Sequence, residues 1–367
     1  MENKEEMILV RPVCKEKEKE KRLIDVLSYA LSEVRHREIR DLEDFKNLRG
    51  KRLLFAIQQG ESGINLEYFR YLKELRLHTD LLEGSVGGII VDGSSELFTK
   101  SLARDFAFTA NRAGCAFPGR PLVEGTVALQ NFSIQARNLE TDNFGAYLAA
   151  ARTLVEQVLS FEGPKRRKPN LLALQTSNSV TSNTRALWGL VKENLAGRCD
   201  ITEISLRNGA ISDCAGCPYT MCLHFGEKEK CYYGGVIVEQ VYPAILACDG
   251  LVMLCPNYND AVSANQCAFI NRLTALFRKV QFYDKYLFGI VVSGYSGGDL
   301  VAGQLISALN MNKTFILPSR FAMLETANDP GSVLKIEGIR RRAKSFAEHI
   351  LDTVALPQEE TGADSRY

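Results

Sequence analysis

The fold of this chain is decided by a short apolar run and the polar loop after it, Asn170-Leu171-Leu172-Ala173-Leu174-Gln175 and Thr176-Ser177-Asn178-Ser179-Val180-Thr181-Ser182-Asn183-Thr184. The apolar run is typical of a strand that is buried on both faces of a sheet. Apolar residues then recur at helical spacing, so a helix is predicted over residues 183–195. A strand, a polar loop and a helix in this order form the repeating part of an α/β domain.

The same alternation continues toward the C-terminus. Strands are predicted at residues 200–206, 250–255, 286–293 and 314–317, and helices at residues 236–248, 262–279, 299–309 and 336–351. Most of these strands are apolar on both faces, as in a parallel sheet that helices cover on both sides. We therefore predict a doubly wound, five-stranded parallel sheet within residues 170–355, followed by a tail at residues 356–367.

Residues 1–162 repeat the alternation less clearly and are predicted to form a second α/β domain. Leu53–Gln58 is similar to Leu171–Gln175, and Gly87–Val91 is similar to Gly250–Leu254. We interpret the region as a degenerate copy of the later domain that lacks its cysteine segment. The alternative is that any two α/β units look alike. The polar, basic stretch at residues 163–169 is bounded by prolines and is predicted to be the linker.

Composition limits the function classes that remain. The chain has 367 residues, 46% of them hydrophobic, which is enough apolar material for two domains. A net charge of +1 argues against bulk nucleic-acid binding. The charged start and the lack of an apolar run of about 20 residues lead us to expect a cytoplasmic protein with no membrane partner. In that compartment, ten cysteines favour metal, redox or buried thiols over disulfides.

The polar loop after the strand at residues 170–175 is predicted to bind phosphate. A helix N-terminus offers unpaired N–H groups and the positive end of the helix dipole. One capping residue would explain a single Ser, Thr or Asn, but not a polar run broken only by Val180. The predicted phosphate-binding residues are Thr176, Ser177, Asn178, Ser179, Ser182, Asn183 and Thr184.

Two further loops follow strands of the predicted sheet. Open α/β sheets bind ligands at the carboxyl ends of their strands. Proline stiffens the first loop, tyrosine can border a flat ring, and the glycines of the second loop allow a close approach of the backbone. Ordinary turns are the alternative. The predicted ring-binding residues are Pro256, Asn257, Tyr258 and Asn259 in the first loop, and Ser293, Gly294, Tyr295, Ser296 and Gly297 in the second.

Four thiols lie in one short segment with the spacing C-x2-C-x4-C-x8-C, at Cys214, Cys217, Cys222 and Cys231. An iron–sulfur cluster is held by four cysteine thiolates, and the segment offers that number. Zinc is the alternative, in a tetrahedral site with His224 as a substitute ligand. A third interpretation is four unligated structural thiols. Cys255 and Cys267 are expected to pack in the core or a helix, and the remaining four cysteines are expected to be structural.

These motifs occur in the order Ser177…Ser182-Asn183-Thr184, the four spaced cysteines, and Asp249-Gly250…Pro256-Asn257-Tyr258…Ser263-Ala264…Arg272. Over residues 170–320 this order resembles the NADPH-dependent FMN reductase superfamily, and within it the iron–sulfur flavoproteins. The resemblance implies a flavodoxin-like fold with strand order 2-1-3-4-5. It also implies FMN phosphate in the loop at 176–184, the flavin ring against 256–259 and 293–297, and a [4Fe–4S] cluster on the cysteine segment.

The cysteine spacing departs from that family in one place. Thr220 stands where the compact pattern of the family has its third cysteine, and Cys222 follows two residues later. Either the loop accommodates this shift, or the cluster is altered or lost.

The resulting hypothesis is an FMN-dependent NAD(P)H oxidoreductase that moves electrons between a reduced donor, FMN and a [4Fe–4S] cluster. The donor would be a reduced nicotinamide or a small electron-transfer protein, and the acceptor an unknown small molecule. No catalytic side chain is predicted, because the flavin would perform the chemistry. The alternatives are a non-catalytic electron carrier or redox sensor, and a zinc-stabilised binding module with a vestigial flavin site. We also expect a homo-oligomer.

Overall fold

The computed structural model describes residues 6–177, 181–206, 209 and 211–357, and the chain divides into two compact units. The first unit contains Met1–Glu162, Gln281–Tyr283 and Asp299–Ala322, and the remaining residues form the second. The chain therefore returns to the first unit twice after leaving it. The segment predicted as a linker belongs to the second unit, where Arg166 N donates to Val354 O and Leu356 N donates to Arg166 O.

The first unit is built on a parallel sheet. Its strands are β1 (Met7–Val10), β2 (His36–Ile39), β3 (Arg52–Gln58), β4 (Ser85–Asp92), β5 (Cys115–Ala116) and β6 (Leu122–Gly125). Its helices from this part of the chain are α1 (Glu20–Ala30), α2 (Leu66–Leu77), α3 (Thr99–Arg112), α4 (Ser133–Asn138) and α5 (Asn143–Leu159). The strand order is β2-β1-β3-β4, with β5 and β6 both paired to β4, and every pairing is parallel.

Close packing of α5 on this sheet depends on a glycine in β4. A Cβ at Gly88 would lie 2.9 Å from Val158 Cγ2 and 3.0 Å from Leu154 Cδ1. Both of these α5 side chains are buried, so the core has no free space for an added methyl group. Packing against α5 therefore explains the glycine at position 88.

The carboxyl end of β4 is closed by a buried ion pair. Asp92 accepts from Arg22 Nε at 2.8 Å and from Arg22 Nη2 at 3.0 Å. Tyr147 Oη and Gln58 Nε2 also donate to the Asp92 carboxylate, at 3.2 Å and 3.3 Å. Burial raises the pKa of Asp92 above its ordinary value of 3.8, and the Arg22 guanidinium offsets only part of that shift. Both carboxylate oxygens of Asp92 therefore have hydrogen-bond donors at this edge of the first sheet.

Asp92→Ala is expected to lower the free energy of unfolding by about 3 kcal/mol, because it leaves Arg22 and Tyr147 without their buried acceptor. Asp92→Asn should cost less, since an amide oxygen still accepts hydrogen bonds. Urea unfolding followed by far-UV circular dichroism measures both variants. Equal stability of Asp92→Ala and the parent protein would contradict the role given to this ion pair.

The stability difference between the parent and Asp92→Asn should also depend on pH. Because the pKa of Asp92 is raised in the folded state, the folded protein keeps a proton that the unfolded chain has already lost. The contribution of Asp92 is therefore greatest below pH 3.8 and falls as pH rises through the raised pKa. Urea unfolding at a series of pH values across this range should show the effect. As the pH rises, the free energy of unfolding of the parent protein should fall relative to that of Asp92→Asn.

The second unit is built on another parallel sheet. Its strands are β7 (Asn170–Gln175), β8 (Asp200–Ser205), β9 (Gly250–Pro256), β10 (Tyr286–Ser293) and β11 (Ala322–Thr326). The helices of this part of the chain are α6 (Asn183–Leu195), α7 (Tyr219–Gly226), α8 (Tyr242–Ala247), α9 (Ala264–Phe277), α10 (Gly298–Leu305) and α11 (Ile339–Val354). All of α10 after its first residue belongs to the first unit.

The strand order of this sheet is β11-β10-β9-β7-β8. Numbered within the unit, it is the predicted order 2-1-3-4-5, which is confirmed. The pairs β7–β8, β7–β9 and β9–β10 are parallel. β9 and β10 are buried along their whole length, which agrees with their nearly continuous apolar sequences.

The fifth strand was predicted at the wrong place. Residues 314–317 are buried and mostly apolar, but the strand beside β10 is β11, at 322–326. Leu317 instead exchanges two backbone hydrogen bonds with Phe117, at 2.8 and 2.9 Å, inside the first unit. An apolar run predicts that a segment is buried, but it does not predict which strand the segment lies beside.

The two units share their strand order, because β2-β1-β3-β4 is also 2-1-3-4 when numbered within its unit. The sequence similarities, however, join strands at different positions. Leu53–Gln58 lies in β3, which occupies the position of β9 rather than that of β7. Gly87–Val91 lies in β4, which occupies the position of β10 rather than that of β9. The shared topology, and not these two matches, supports a duplicated fold.

Across the described ranges, no helix combines the length and the apolar character that a membrane span requires.

Candidate functional site

Three loops of the second unit meet at one edge of its sheet. They follow β7, β9 and β10, which are neighbours in the strand order, and parallel strands bring their carboxyl ends to the same edge. The predicted site residues come from these loops. Asn178 and Ser179 lie outside the described residues.

The loop after β7 holds a buried hydroxyl group that has no partner. Thr176 and Ser177 are both buried, and Thr176 Oγ1 has no hydrogen-bond partner among the residues that the structure describes. A buried polar atom left unpaired costs free energy, so this hydroxyl is free to pair with a water or with a polar ligand group. Thr176 is therefore the best-supported donor of this loop.

The helix after this loop is capped by a predicted site residue. Ser182 Oγ accepts from Arg185 N at 3.3 Å, which satisfies one of the free N–H groups at the start of α6. Thr184 is buried in the first turn of α6. The other N–H groups of that first turn and the positive end of the helix dipole point toward the loop, as anion-binding helix termini do.

Asn183 has a structural role instead of a free side chain. Its Nδ2 donates to Ala327 O at 3.0 Å and to Asp329 O at 2.9 Å. Its Oδ1 accepts from Val333 N at 3.2 Å. The side chain thus connects the start of α6 to the segment after β11, and only its backbone remains for a ligand.

Asn257 joins the loops after β9 and β10. Its Nδ2 donates to Ser293 Oγ at 3.1 Å, to Ser296 O at 2.9 Å and to Asp260 Oδ1 at 3.2 Å. Asn257 Oδ1 is buried without a partner in the described part of the chain. The residue fixes the separation of the two loops and leaves one acceptor for a further donor.

Residues with left-handed backbone occur in both of these loops. Asn259 and Asp260 are consecutive non-glycine residues in the left-handed region, with φ of 54° and 57°. Gly297 has φ of 81°, and a Cβ at this position would overlap the Asp260 carboxylate. Strained backbone of this kind is found preferentially at functional sites, where the surrounding structure holds it in place.

Two tyrosines expose their rings beside this strained region. Tyr258 is 56% exposed and Tyr295 is 80% exposed. Tyr295 Oη accepts from Asn328 Nδ2 at 3.2 Å, which orients the second ring. Exposed aromatic faces next to buried polar groups suit a flat, partly polar ring system. Pro256 ends β9, and Gly294 lies close to Asn328.

Asn328 and the loop after β11 were missed by the sequence analysis. The displaced fifth strand hid them, because the loop was expected some residues earlier. The turn residues in Ala327-Asn328-Asp329-Pro330-Gly331 were the available signal.

The four spaced cysteines line one cavity of about 420 Å³. Cys214 and Cys217 precede α7, Cys222 lies within it and Cys231 follows it. Cys222 therefore reaches the same cavity as the other three, although it is displaced from the expected position. Aromatic and cationic side chains complete the lining, among them Tyr219, Phe225, Tyr232, Tyr233, Arg272 and Arg278.

The four thiols of this cavity are not placed as the ligands of a single metal ion. In the described ranges, no three His, Cys, Asp or Glu side chains are close enough together to hold one metal ion. A zinc ion needs its thiolates at about 2.3 Å from one centre. His224 does not line the cavity, and its Nε2 lies 3.1 Å from Lys228 Nζ.

The other cysteines are separate from this cavity. Cys14, Cys115, Cys199, Cys248 and Cys255 are buried. Burial raises the pKa of the Cys199 thiol to about 11 and that of the Cys255 thiol to about 12, so both stay protonated and unreactive near neutral pH. Cys267 lies on α9 and is exposed, not packed in the core.

Residues 169–329 match the family model of the NADPH-dependent FMN reductases. No curated protein matches the chain. Solved structures similar to it include an NAD(P)H:quinone oxidoreductase from Methanothermobacter marburgensis, 13% identical, with a TM-score of 0.39, covering 50% of this chain and 96% of that one. An azoreductase from Bacillus anthracis str. Sterne is 13% identical, with a TM-score of 0.35, covering 50% and 98%. We draw no functional conclusion from these two structures.

Proposed function

Because residues 169–329 match the family model of the NADPH-dependent FMN reductases, we propose that the second unit binds FMN at its three loops and oxidises NAD(P)H there. The observation that carries this proposal is the joint geometry of those loops. A buried, unpartnered hydroxyl lies after β7, and Asn257 holds the loops after β9 and β10 together. When bound, FMN would accept a hydride and release electrons singly or in pairs.

The loop after β7 would hold the phosphate end of the cofactor. The Thr176 and Ser177 hydroxyls and the free N–H groups at the start of α6 are donors, and a phosphate monoester is an acceptor with a double negative charge. Asn178 and Ser179 belong to the same proposal. Ser182 and Asn183 would act through the backbone that they fix, the first by capping α6 and the second by anchoring it to the segment after β11.

The loops after β9 and β10 would hold the ring. Pro256–Asn259 and Ser293–Gly297 supply backbone amides and two exposed tyrosine rings. The unpaired Asn257 Oδ1 is an acceptor that suits a ring N–H group. The side chains of these loops would exclude water from the ring and set its orientation, which is the protein's part in flavin chemistry.

The cysteine cavity would hold a [4Fe–4S] cluster that accepts and donates single electrons. Four cysteines that line one cavity support this assignment, because a cluster of this kind is held by four cysteine thiolates. A reduced nicotinamide or a small electron-transfer protein would then be the electron donor, and an unknown small molecule would take the electrons. We extend the proposal to the first unit as a duplicated flavodoxin-like domain without a cysteine segment, on the strength of its strand order.

Anaerobic purification and cofactor analysis test the proposal. Flavin released by acid and separated by chromatography should be FMN, and NADPH or NADH should be oxidised in the presence of artificial acceptors. FAD as the main flavin would overturn the assignment of the phosphate loop. Bound FMN without steady-state turnover would favour a non-catalytic electron carrier instead.

Gly297→Ala should weaken FMN binding by about tenfold or more, because an alanine in this left-handed conformation costs about 1–3 kcal/mol and its Cβ would displace Asp260. Gly298→Ala is the matched control. Its φ is not in the left-handed region, and its Cβ would have 3.4 Å to the nearest atom, Ser293 Oγ. Titration of the apoprotein with FMN, followed by flavin fluorescence, compares the two. Equal affinity of both variants would show that the ring does not depend on this turn.

A further inference from the structure

Arg272 is a buried arginine that faces the cysteine cavity. It lies on α9 with 2% of its surface exposed, and it lines the same cavity as the four thiols. Its Nη1 donates to Ser212 O at 3.2 Å, and its Nη2 donates to Gly234 O at 2.5 Å. Its Nε is buried and has no hydrogen-bond partner among the described residues.

Both accepting carbonyl groups flank the cysteine segment. Ser212 precedes Cys214, and Gly234 follows Cys231. One guanidinium therefore holds the two ends of the segment against α9. Tyr242 Oη donates to Arg272 O at 2.5 Å and fixes the helix backbone at the same position.

Both hydrogen bonds of Arg272 go to neutral carbonyl groups, and its guanidinium lies 6.0 Å from the centroid of the Tyr233 ring, so no carboxylate pairs with it in the described part of the chain. Removing an unpaired charge from water costs several kcal/mol, so a buried arginine normally has an anionic partner. A cluster ligated by four thiolates carries a net negative charge. It would supply that partner from within the cavity that Arg272 lines.

We propose that Arg272 is the positioning residue of the cluster: its guanidinium closes the cysteine segment around the cavity, and its buried charge favours the reduced cluster. This inference rests on the proposed function. Each electron that the cluster accepts makes it more negative, so attraction to a nearby cation is stronger in the reduced state. The reduction potential should therefore be higher with Arg272 than without it.

The experiment compares Arg272→Gln, Arg272→Lys and Arg278→Gln in the anaerobically reconstituted full-length protein. Arg278 also lines the cavity, but it is exposed and lies over the Tyr219 ring, at 4.6 Å from its centroid. The Arg278→Gln substitution therefore removes the same positive charge from a position where solvent screens it. Iron and sulfide per chain and the midpoint potential of the cluster, from a dithionite titration followed by absorption, are the two readouts.

In Arg272→Gln the ratio of reduced to oxidised cluster at a fixed potential should fall by about tenfold or more, which for a one-electron couple corresponds to about 59 mV. Arg272→Lys keeps the charge and should stay within about threefold of the parent, as should Arg278→Gln. Arg272→Gln could instead retain FMN but load no iron. In that case, loading of iron by Arg272→Lys would equally support the role of the positive charge.

The inference would be overturned if Arg272→Gln had the same iron content and the same cluster potential as Arg278→Gln. If neither Arg272→Gln nor Arg272→Lys loads iron, the loss cannot be assigned to the positive charge of Arg272, and the proposal is overturned. A parent protein that takes up no iron and sulfide on reconstitution would overturn the proposed function itself, so the two failures are distinguishable.

Discussion

Ser182→Asp should weaken FMN binding by more than about a hundredfold, whereas Ser182→Asn should leave it within a few-fold of the parent. Both residues replace serine well as a helix N-cap, so α6 should be retained in each variant. The two differ in one negative charge at the mouth of the phosphate loop. Two like charges about 4 Å apart near a protein surface repel by roughly 4 kcal/mol, which exceeds the loss from any single hydrogen bond.

Calorimetric titration of the apoproteins with FMN measures this difference directly. Thermal unfolding of the two apoproteins provides the control, because equal midpoints would show that the cap is intact in both. The gap in affinity should narrow at high salt, since exposed charges are screened. Equal affinities of the Asp and Asn variants would mean that the phosphate does not lie at the start of α6, and the assignment of this loop would be wrong.

Cys217→Ser should reduce bound iron to a small fraction of the parent value while FMN is kept. A serine oxygen is a poor substitute for a thiolate in an iron–sulfur cluster, and loss of one ligand of four leaves an iron atom open. The flavin loops belong to other elements, so their ligand should remain. Cys267→Ser is the matched control, because Cys267 is an exposed thiol on α9 that does not line the cavity.

Cys222→Ser tests the displaced third cysteine in the same assay. Since Cys222 lines the cavity with the other three, its loss should resemble that of Cys217. If Cys222→Ser kept as much iron and sulfide as Cys267→Ser, Cys222 would not be a cluster ligand. Zinc bound at one ion per chain without acid-labile sulfide would instead support the alternative of a zinc site.

The sequence was informative where the physical signal is local. Strands that are apolar on both faces predicted the parallel sheet, and its order followed from the motif resemblance. The position of the fifth strand was not predictable, because residues 314–317 are the more apolar and more buried run, whereas the strand beside β10 is β11, which ends in Glu325 and Thr326. Strand pairing at this point depends on contacts that are distant in sequence.

Side-chain roles in the site were the least predictable part. Asn257 and Asn183 were both expected to face a ligand, yet each joins two segments that are far apart in the chain. An amide group carries the same local signal in either role, and only the neighbours decide between them. Arg272 could be recognised as part of a motif, but its burial and its two carbonyl partners depend on how the cysteine segment folds back onto α9.

The division of the chain into its two units has a consequence for biosynthesis. Residues 281–283 and 299–322 belong to the first unit, so that unit is incomplete while the ribosome is still making the second. The buried residues Phe315 and Leu317 are then missing from its core until most of the chain has emerged. Nascent chains halted near residue 290 should therefore be sensitive to protease throughout the first unit. Separate expression of the two halves from a cut at residue 163 should give an insoluble N-terminal fragment.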